Sequence, residues 1–239
     1  MVDYWLLSNA KLRNKEMEKS LIFTATLNEI DSITQLLEEI SSHMPQADIL
    51  IVDDNSSDGT GILLDKLAKN NTHLKIIHRP RKLGLGSAHK LAMKYALHYN
   101  YDKLFTMDAD FSHNPAVLPI LSEQLDHYQF VTGSRYISGG KCDYGPVRDY
   151  FSKFANFLVR TALGTGLREN TTSFRGFRSS MLKSIDFDHI NAQGYSFFFE
   201  IIFRVSQITK KLKEVPIHFV DRRAGQSKIS KKEVANALL

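Results

Sequence analysis

Short apolar runs alternate with amphipathic stretches over the first half of the chain. The apolar runs predict strands at 20–26, 47–54, 74–79, 101–110 and 129–136. Apolar residues recur at helical spacing in the segments 28–44, 56–70, 84–100 and 115–128. Because strands alternate with helices, we expect an α/β fold with a mostly parallel central sheet flanked by helices.

The pattern changes after residue 136. A loop containing Gly and Pro (139–146) precedes an amphipathic helix (147–164) that Gly164 is expected to end. A short strand, a turn and a helix follow within 174–208, then a last strand at 213–220 and a basic tail. The organisation is therefore an N-terminal arm (1–19) and one domain (20–239) with halves at 20–136 and 137–239.

Composition narrows the class of protein. The chain has 239 residues, of which 43% are hydrophobic and 24% charged, as in a globular domain with a sizeable core. The only cysteine, Cys142, excludes an internal disulfide framework. No signal-peptide pattern is present, and no apolar run approaches the roughly 18 residues of a membrane span. These features favour the cytosol.

The charge is unevenly spread. The net charge is +5, and Lys and Arg crowd the segments 141–183 and 210–232. A basic half suggests an anionic partner, such as phosphate groups or an anionic membrane surface. Nucleic acid is disfavoured because base-stacking aromatic residues are not interleaved with the last basic run.

Polar side chains follow each predicted strand. In parallel sheets, ligands bind outside the carboxyl ends of the strands. The residues at these ends are Thr26, Asn28, Glu29, Asp53, Asp54, Asn55, Arg79 to Lys82, Asp108, Asp110, Ser134 and Arg135. Their joint placement predicts a binding site at this edge.

The segment "MDADFSHNP" places two carboxylates directly after an apolar strand. Asp108 and Asp110 could be solvated surface acids, but repulsion so close to the core favours a cation between them. Mg²⁺ or Mn²⁺, which prefer oxygen ligands, would also bridge the oxygens of a diphosphate.

Three further features leave alternatives open. Asp54 in "IVDDNSSDGT" either belongs to an ordinary turn, with Ser57 or Asp58 as the N-cap of the next helix, or binds a nucleobase or ribose. The glycines of "KLGLGSAH" fit no dinucleotide motif and are explained by a tight turn and close packing. Glu200 either pairs with Arg204 or points into the site.

An ordered set of motifs resembles family 2 glycosyltransferases, and among them the dolichol-phosphate (polyprenol-phosphate) mannose synthases. The motifs are "TATLNE", "IVDDNSSDGT", "KLGLGSAH", "MDADFSHNP", "GSRY", "VRDYFSKFAN", "SFRGFR", "GYSFFFE" and "FVDRRAGQSK". The chain departs from the family pattern in four places, the first being Ala25-Thr26-Leu27-Asn28-Glu29, where Pro-Thr-Tyr-Asn-Glu is usual. Asn55 stands where Gly is usual, Glu169 where Asp is usual, and Phe198 where Gln is usual.

The resemblance implies a GT-A fold, a nucleotide-diphospho-sugar donor, a divalent metal and inversion at the anomeric carbon. It assigns the donor to the half at 20–136 and the acceptor to the half at 137–239. The residues implied for the donor are Thr26, Asn28, Glu29, Asp54, Asp108, Arg222 and Lys228. Those implied for the metal are Asp108, Asp110 and Ser112. Those implied for the acceptor phosphate are Arg135, Arg148 and Ser152, and the catalytic set is Asp108, Asp110, Arg135 and Arg148.

The resulting expectation is transfer of a hexose to a polyprenyl phosphate, dolichyl or undecaprenyl. Mannose from GDP-mannose is the expected donor sugar. Two alternatives stay open: a UDP-sugar transferase acting on a lipid or polysaccharide, and a catalytically silent nucleotide-sugar-binding subunit. The protein is expected at the cytoplasmic face of a membrane, attached to an anionic surface or to a small membrane subunit.

Overall fold

The computed structural model describes residues 18–190, 192, 194 and 196–220. Nearly all of the predicted arm and the whole basic tail lie outside these residues. The strands are β1 (Ser20–Thr26), β2 (Asp48–Asp53), β3 (Leu74–His78), β4 (Lys103–Thr106), β5 (Phe130–Ser134), β6 (Lys141–Cys142), β7 (Arg175–Arg178), β8 (Leu212–Pro216) and β9 (His218–Phe219). The helices are α1 (Ile33–His43), α2 (Thr60–Ala68), α3 (Leu85–His98), α4 (Leu118–Gln124), α5 (Pro146–Leu163), α6 (Ser179–Leu182) and α7 (Ser196–Ile208).

A seven-stranded sheet forms the centre, in the order β3-β2-β1-β4-β7-β5-β8. All neighbours are parallel except β7, which runs antiparallel to both β4 and β5. The predicted α/β fold with a mostly parallel sheet is confirmed. The carboxyl ends of β1, β2, β4 and β5 consequently share one edge.

Alternate residues of the central strands pack on opposite faces of the sheet. Leu21 and Phe23 of β1 belong to the core under α3 and α7, whereas Ile22 belongs to the core under α1 and α4. Both cores consist of fully or nearly fully buried side chains. This two-sided burial explains why these strands are apolar throughout rather than alternating.

Some predicted boundaries are wrong, each for a local reason. The helix after β2 begins at Thr60, and its boundary residue is Gly59 in the left-handed region (φ 96°), so neither Ser57 nor Asp58 is the N-cap. The Asp58 carboxylate still accepts the Thr60 N–H at 2.9 Å. The fourth strand ends at Thr106, four residues early, because the chain turns to present the next carboxylates.

The second half contains a small sheet that the sequence pattern missed. The predicted strand at 213–220 is interrupted at Ile217, which separates β8 from β9. β9 pairs in parallel with β6, inside the segment expected to be a loop. The predicted helix at 147–164 is confirmed as α5, and Gly164 follows it at φ 61°.

The two glycines of "KLGLGSAH" do what their residue type suggests. Gly84 adopts φ 90°, which L side chains rarely do, and precedes α3. A Cβ on Gly86 would lie 2.8 Å from the Phe197 Cβ, so the glycine allows α3 to approach α7 closely. The close packing is therefore against a helix, not against the sheet.

Candidate active site

The turns that follow the central strands are conformationally unusual. Asn28, Asn55 and Phe111 have positive φ angles of 57°, 64° and 60°, and they follow β1, β2 and β4 in turn. Asn tolerates this region, but a bulky Phe does so at a cost that the surroundings must offset. Asn55 thus fills a position where glycine is usual because Asn can adopt the same backbone conformation. Strain concentrated at one sheet edge is typical of a functional site.

The turns after β1 and β2 are joined by hydrogen bonds. Asn28 donates its N–H to the Ser56 hydroxyl at 2.8 Å, and its side-chain oxygen accepts the Ser57 N–H at 2.8 Å. The Thr26 hydroxyl donates to Asp53 at 3.1 Å and is buried. Glu29 donates its N–H to the Thr60 hydroxyl at 3.0 Å. The residues in and after β1 that are predicted to bind the sugar donor are therefore held in place by hydrogen bonds within the protein.

Asp54 anchors the glycine-rich turn. Its carboxylate accepts the N–H groups of Leu83 and Gly84 at 2.7 and 3.0 Å and pairs with Arg79 at 2.8 Å. Both charged side chains are buried. Asp54 thus fixes the turn that begins α3, and its contact with a nucleoside stays a prediction.

The two carboxylates of "MDADFSHNP" lie beyond the end of β4. Asp108 accepts a hydrogen bond from the Ser173 hydroxyl at 2.6 Å, and Asp110 accepts the Ser112 N–H at 3.1 Å. The Ser112 hydroxyl is buried and has no hydrogen-bond partner among the described residues. A buried hydroxyl with unused lone pairs beside two carboxylates is a donor set that fits Mg²⁺ or Mn²⁺. Within the described residues, no cluster of three or more His, Cys, Asp or Glu side chains could hold a metal.

His113 supports this segment as a neutral imidazole. Its Nδ1 accepts the Asp108 N–H at 3.1 Å, so the proton resides on Nε2, 3.3 Å from the Thr172 hydroxyl. The ring stacks on Phe174 and is buried. Burial lowers the pKa of His113, and the nearby carboxylates Asp108 and Asp110 only partly oppose it. The histidine therefore holds the Asp108 backbone rather than exchanging protons.

Arg135, just after β5, forms a buried bidentate ion pair with Glu169. Its Nε and Nη2 lie 2.7 and 2.8 Å from the two carboxylate oxygens. Nη2 also donates to Thr171 at 2.6 Å, and Nη1 donates to the Tyr144 hydroxyl at 2.9 Å. Four of the five guanidinium N–H groups are thereby used, which leaves one on Nη1 for a phosphate oxygen.

Glu169 is charged although it is completely buried. Burial raises its pKa, but the Arg135 charge and the hydrogen bonds from Arg135 and Thr171 outweigh that effect, so the pKa lies below its ordinary value. The same pair holds the pKa of Arg135 above its ordinary value against the effect of burial. The glutamate noted as a departure from the family pattern thus reaches Arg135 with both oxygens.

Tyr144 connects Arg135 to Arg148. The Arg148 guanidinium carbon lies 3.9 Å from the centre of the Tyr144 ring, while the hydroxyl of the same ring binds Arg135. Ser152, one turn further along α5, accepts a hydrogen bond from the Tyr136 hydroxyl at 2.7 Å. Burial raises the pKa of Tyr136 to about 12, so it stays a donor at neutral pH. The three residues predicted for an acceptor phosphate are therefore linked through two tyrosines.

The structure resolves the alternatives for Glu200 in favour of an ion pair. One carboxylate oxygen accepts from Arg204 Nε at 3.0 Å and Nη2 at 2.6 Å, and the other accepts the Ala192 N–H at 3.1 Å. Both oxygens are thus occupied within α7 and the segment before it.

Sequence reasoning missed Tyr136, Tyr144 and Thr171. Tyr136 is the last residue of the strand predicted at 129–136, and Tyr144 lies in the loop before α5, where no periodic pattern marks it. Their signal is aromatic and hydroxyl side chains close in sequence to two arginines. Arg222 and Lys228, predicted for the donor, lie outside the described residues.

Comparison with known sequences gives the family. The model described as "Glycosyl transferase family 2" matches residues 21–186. An undecaprenyl-phosphate mannosyltransferase of Micrococcus luteus is 38% identical over 92% of this chain and 90% of its own length. A polyprenol monophosphomannose synthase of Mycolicibacterium smegmatis is 34% identical over 92% of this chain and 84% of its own length.

Comparison with solved structures agrees on the fold. Glucosyl-3-phosphoglycerate synthase from Mycobacterium tuberculosis, crystallised with Mn²⁺, UDP and phosphoglyceric acid, superposes with a TM-score of 0.68. It is 17% identical, and the match covers 94% of this chain and 76% of that one. The same enzyme with Mg²⁺ and UDP superposes with a TM-score of 0.65, covering 89% and 74% of the two chains at 17% identity. The chain belongs to glycosyltransferase family 2 and has the GT-A fold of an inverting glycosyltransferase.

Proposed function

We propose that this glycosyltransferase transfers mannose from GDP-mannose to the phosphate of a polyprenyl phosphate, dolichyl or undecaprenyl. The observation that carries the proposal is the match over nine tenths of the chain to two relatives named for polyprenyl-phosphate mannosyl transfer. The linked group of Arg135, Arg148 and Ser152 supports a phosphate as the acceptor.

Asp108, Asp110 and Ser112 would hold Mg²⁺ or Mn²⁺. When bound, the ion would offset the charge of the diphosphate as the nucleotide leaves. The half at 20–136 binds the donor: Asn28 and Glu29 line the edge, while Thr26 and Asp54 hold its turns in shape. Arg222 and Lys228 complete the proposed donor set.

The acceptor needs no protein base. A phosphate monoester is already anionic near neutral pH, because its second pKa is about 6. The residues of the second half have only to bind and orient it. Arg148 and the remaining Nη1 N–H of Arg135 suit phosphate oxygens, and the Ser152 hydroxyl supplies another donor. The engagement of Glu200 with Arg204 is consistent with a reaction in which no side chain removes a proton.

Helix α5 would meet the membrane that carries the acceptor. Six of its apolar side chains are exposed, and we call them the apolar face: Val147, Tyr150, Phe151, Phe154, Phe157 and Leu158. At 100° per residue they fall within an arc of about 120°. No helix in the described part of the chain has the length and apolar character needed to cross a bilayer. We therefore propose peripheral attachment at the cytoplasmic face, to an anionic surface or to a small membrane subunit.

The experiment is a transfer assay with a short-chain polyprenyl phosphate and Mn²⁺. GDP-mannose should yield GDP and a mannosylated lipid, whereas UDP-glucose and UDP-N-acetylglucosamine should yield neither. Arg148→Ala should lower kcat/KM for the acceptor about 10- to 100-fold, as expected for loss of a guanidinium–phosphate contact, and leave GDP affinity nearly unchanged. Turnover of a UDP-sugar in preference to GDP-mannose would overturn the donor. Nucleotide binding without any transfer would favour a silent subunit.

A further inference from the structure

An open cleft of about 440 Å³ lies beside α5. Four cations line it, Arg135, Lys153, Arg160 and Arg168, together with Tyr136, Ile137, Asn156 and Phe157. None of its lining residues among those described is acidic. Such a cleft suits an anion joined to an apolar group.

Two of the four cations have no carboxylate partner in the described part of the chain. Arg135 is committed to Glu169, and Lys153 pairs with Asp149 at 2.6 Å. Arg160 and Arg168 form no ion pair within the described residues, and both are at least partly exposed. The Arg160 guanidinium lies 5.8 Å from the centre of the Phe157 ring. Two guanidinium groups in one cleft match the oxygens of a phosphate.

This cleft adjoins the proposed acceptor-phosphate group, because Arg135 belongs to both, but Arg160 is offset from Arg148 and Ser152 along α5. Ser152 and Arg160 are eight residues apart on one helix, which places them about 12 Å apart along its axis. They also differ in direction: by helical periodicity Arg160 borders the apolar face beside Phe157, whereas Arg148 and Ser152 lie on the other side of buried Asn156. Arg160 is therefore placed to bind a different phosphate from the one proposed for Arg148 and Ser152.

The cleft is continuous with the apolar face of α5. Phe157 belongs to both, and its side chain is 49% exposed. An amphipathic helix lying in a bilayer interface places its aromatic side chains at the acyl boundary and its flanking cations at the phosphates. Phe157 and Arg160 form such a pair, with an aromatic side chain for the acyl boundary and a neighbouring cation for the phosphates.

We infer that Arg160 and Arg168 bind the headgroup phosphate of an anionic membrane phospholipid while the apolar face of α5 enters the bilayer interface. The inference rests on the proposed function in one respect, the membrane-borne acceptor. A bound phospholipid would fix α5 in the interface and so hold Arg148 and Ser152 at the depth of the acceptor phosphate.

The test is sedimentation of the full chain with vesicles of phosphatidylcholine alone or mixed with phosphatidylglycerol. The variant is Arg160→Gln with Arg168→Gln. Its charge-matched control is Lys66→Gln with Lys69→Gln, two exposed lysines at α2. Because each basic residue near an anionic surface contributes roughly a factor of five, the test variant should bind mixed vesicles about 30-fold more weakly than wild type. Binding of the control variant to mixed vesicles should fall much less than that of the test variant. Inorganic phosphate at low concentration should not release the wild-type protein from the vesicles.

Equal losses of vesicle binding in the test and control variants would mean that only net charge matters, and would overturn the inference. Unchanged binding of the test variant would also overturn it. Release by inorganic phosphate at low concentration would also overturn it, in favour of a free-anion site. Phe151→Ser should weaken binding to both kinds of vesicle, since it removes apolar contact without changing charge.

Transfer to a soluble short-chain acceptor separates this inference from the proposed function. The Arg160→Gln, Arg168→Gln variant should match wild type in that assay; a large loss would place these arginines in the acceptor site and overturn their separate role. If wild type fails to transfer mannose but the vesicle results hold, the proposed function fails and the phospholipid site stands.

Discussion

The edge proposed to bind the donor and the side proposed to bind the acceptor, called here the donor edge and the acceptor side, are built in opposite ways. At the donor edge, Thr26, Asn28 and Asp54 are tied to neighbouring turns by hydrogen bonds within the protein. On the acceptor side, α5 buries only Asn156 and exposes its apolar face. The first arrangement suits a small polar ligand that arrives from water. The second suits an apolar ligand presented by a surface, because the exposed face would otherwise be an unfavourable contact with solvent.

Each region buries one carboxylate–arginine pair, Asp54 with Arg79 at the proposed donor edge and Glu169 with Arg135 on the proposed acceptor side, but the buried histidines lie behind the donor edge. Behind the donor edge, His89 and His113 are buried and neutral, because burial lowers the pKa of each ring. On the acceptor side, Glu169 and Arg135 are buried as a charged pair. Neutral aromatic packing makes the donor edge a continuation of the core. The ion pair holds a cation where the proposed anionic acceptor would approach.

The largest expected effect comes from the donor edge. Asp110→Asn removes one carboxylate charge without changing shape and should lower kcat/KM about 1000-fold or more, since a metal ligand stabilises the charge of the leaving diphosphate. Titration of Mn²⁺ against GDP binding provides a second readout, and Asp188→Asn, an exposed carboxylate, is the control. Undiminished activity of Asp110→Asn, and of wild type in EDTA, would remove the metal from the proposal.

The next effect tests the buried pair of the acceptor side. Glu169→Gln leaves the Arg135 charge buried without a counter-ion and should cost about 3–5 kcal/mol of unfolding free energy. Glu169→Asp keeps the charge but is one methylene shorter, so it should retain part of that stability. Urea unfolding of both variants measures the difference, and exposed Glu123→Gln should change little. A small loss of unfolding free energy in Glu169→Gln would show that the ion pair is not what holds Arg135 in place.

A smaller effect is expected from His89, the neutral histidine behind the donor edge, on the pH dependence of the unfolding free energy. Burial among Phe23, Phe197 and Phe198 lowers the pKa of His89 to about 3, whereas the unfolded chain has an ordinary value near 6.5. Below pH 6.5 the unfolded state binds the extra proton, so stability falls as pH falls. Between pH 7 and 5 this histidine alone should remove about 2 kcal/mol.

His89→Leu should abolish that share of the pH dependence, whatever it does to stability at pH 7. Unfolding free energies of wild type and variant at the two pH values give the result. Parallel losses in both proteins would mean that His89 is not the titrating group.

The sequence predicted what periodicity and strand ends encode, namely the order of the main elements, the shared edge and its carboxylates. It did not predict β6 or the break at Ile217 that separates β9 from β8, because two-residue strands have no period. It also missed the link through Tyr144, since a ring between two arginines depends on how a loop folds onto α5. The sequence identified Asp54 as a candidate but not its hydrogen-bond partners, because the N–H groups of Leu83 and Gly84 are 29 and 30 residues away along the chain. Such contacts follow from tertiary packing rather than from local pattern.

The smallest expected effect decides whether the acceptor side contains a base. Glu200→Gln keeps the shape of a partly exposed ion pair, so it should cost well under about 1 kcal/mol of stability and leave most of the activity. Arg204→Gln is the matched control, because it breaks the same pair without touching the carboxylate. If the pair is structural, the two variants should behave alike in unfolding and in transfer. A loss of turnover in Glu200→Gln alone, with GDP binding intact, would make Glu200 a general base. The acceptor would then be a sugar hydroxyl, which must lose a proton to react, rather than a phosphate that is already an anion.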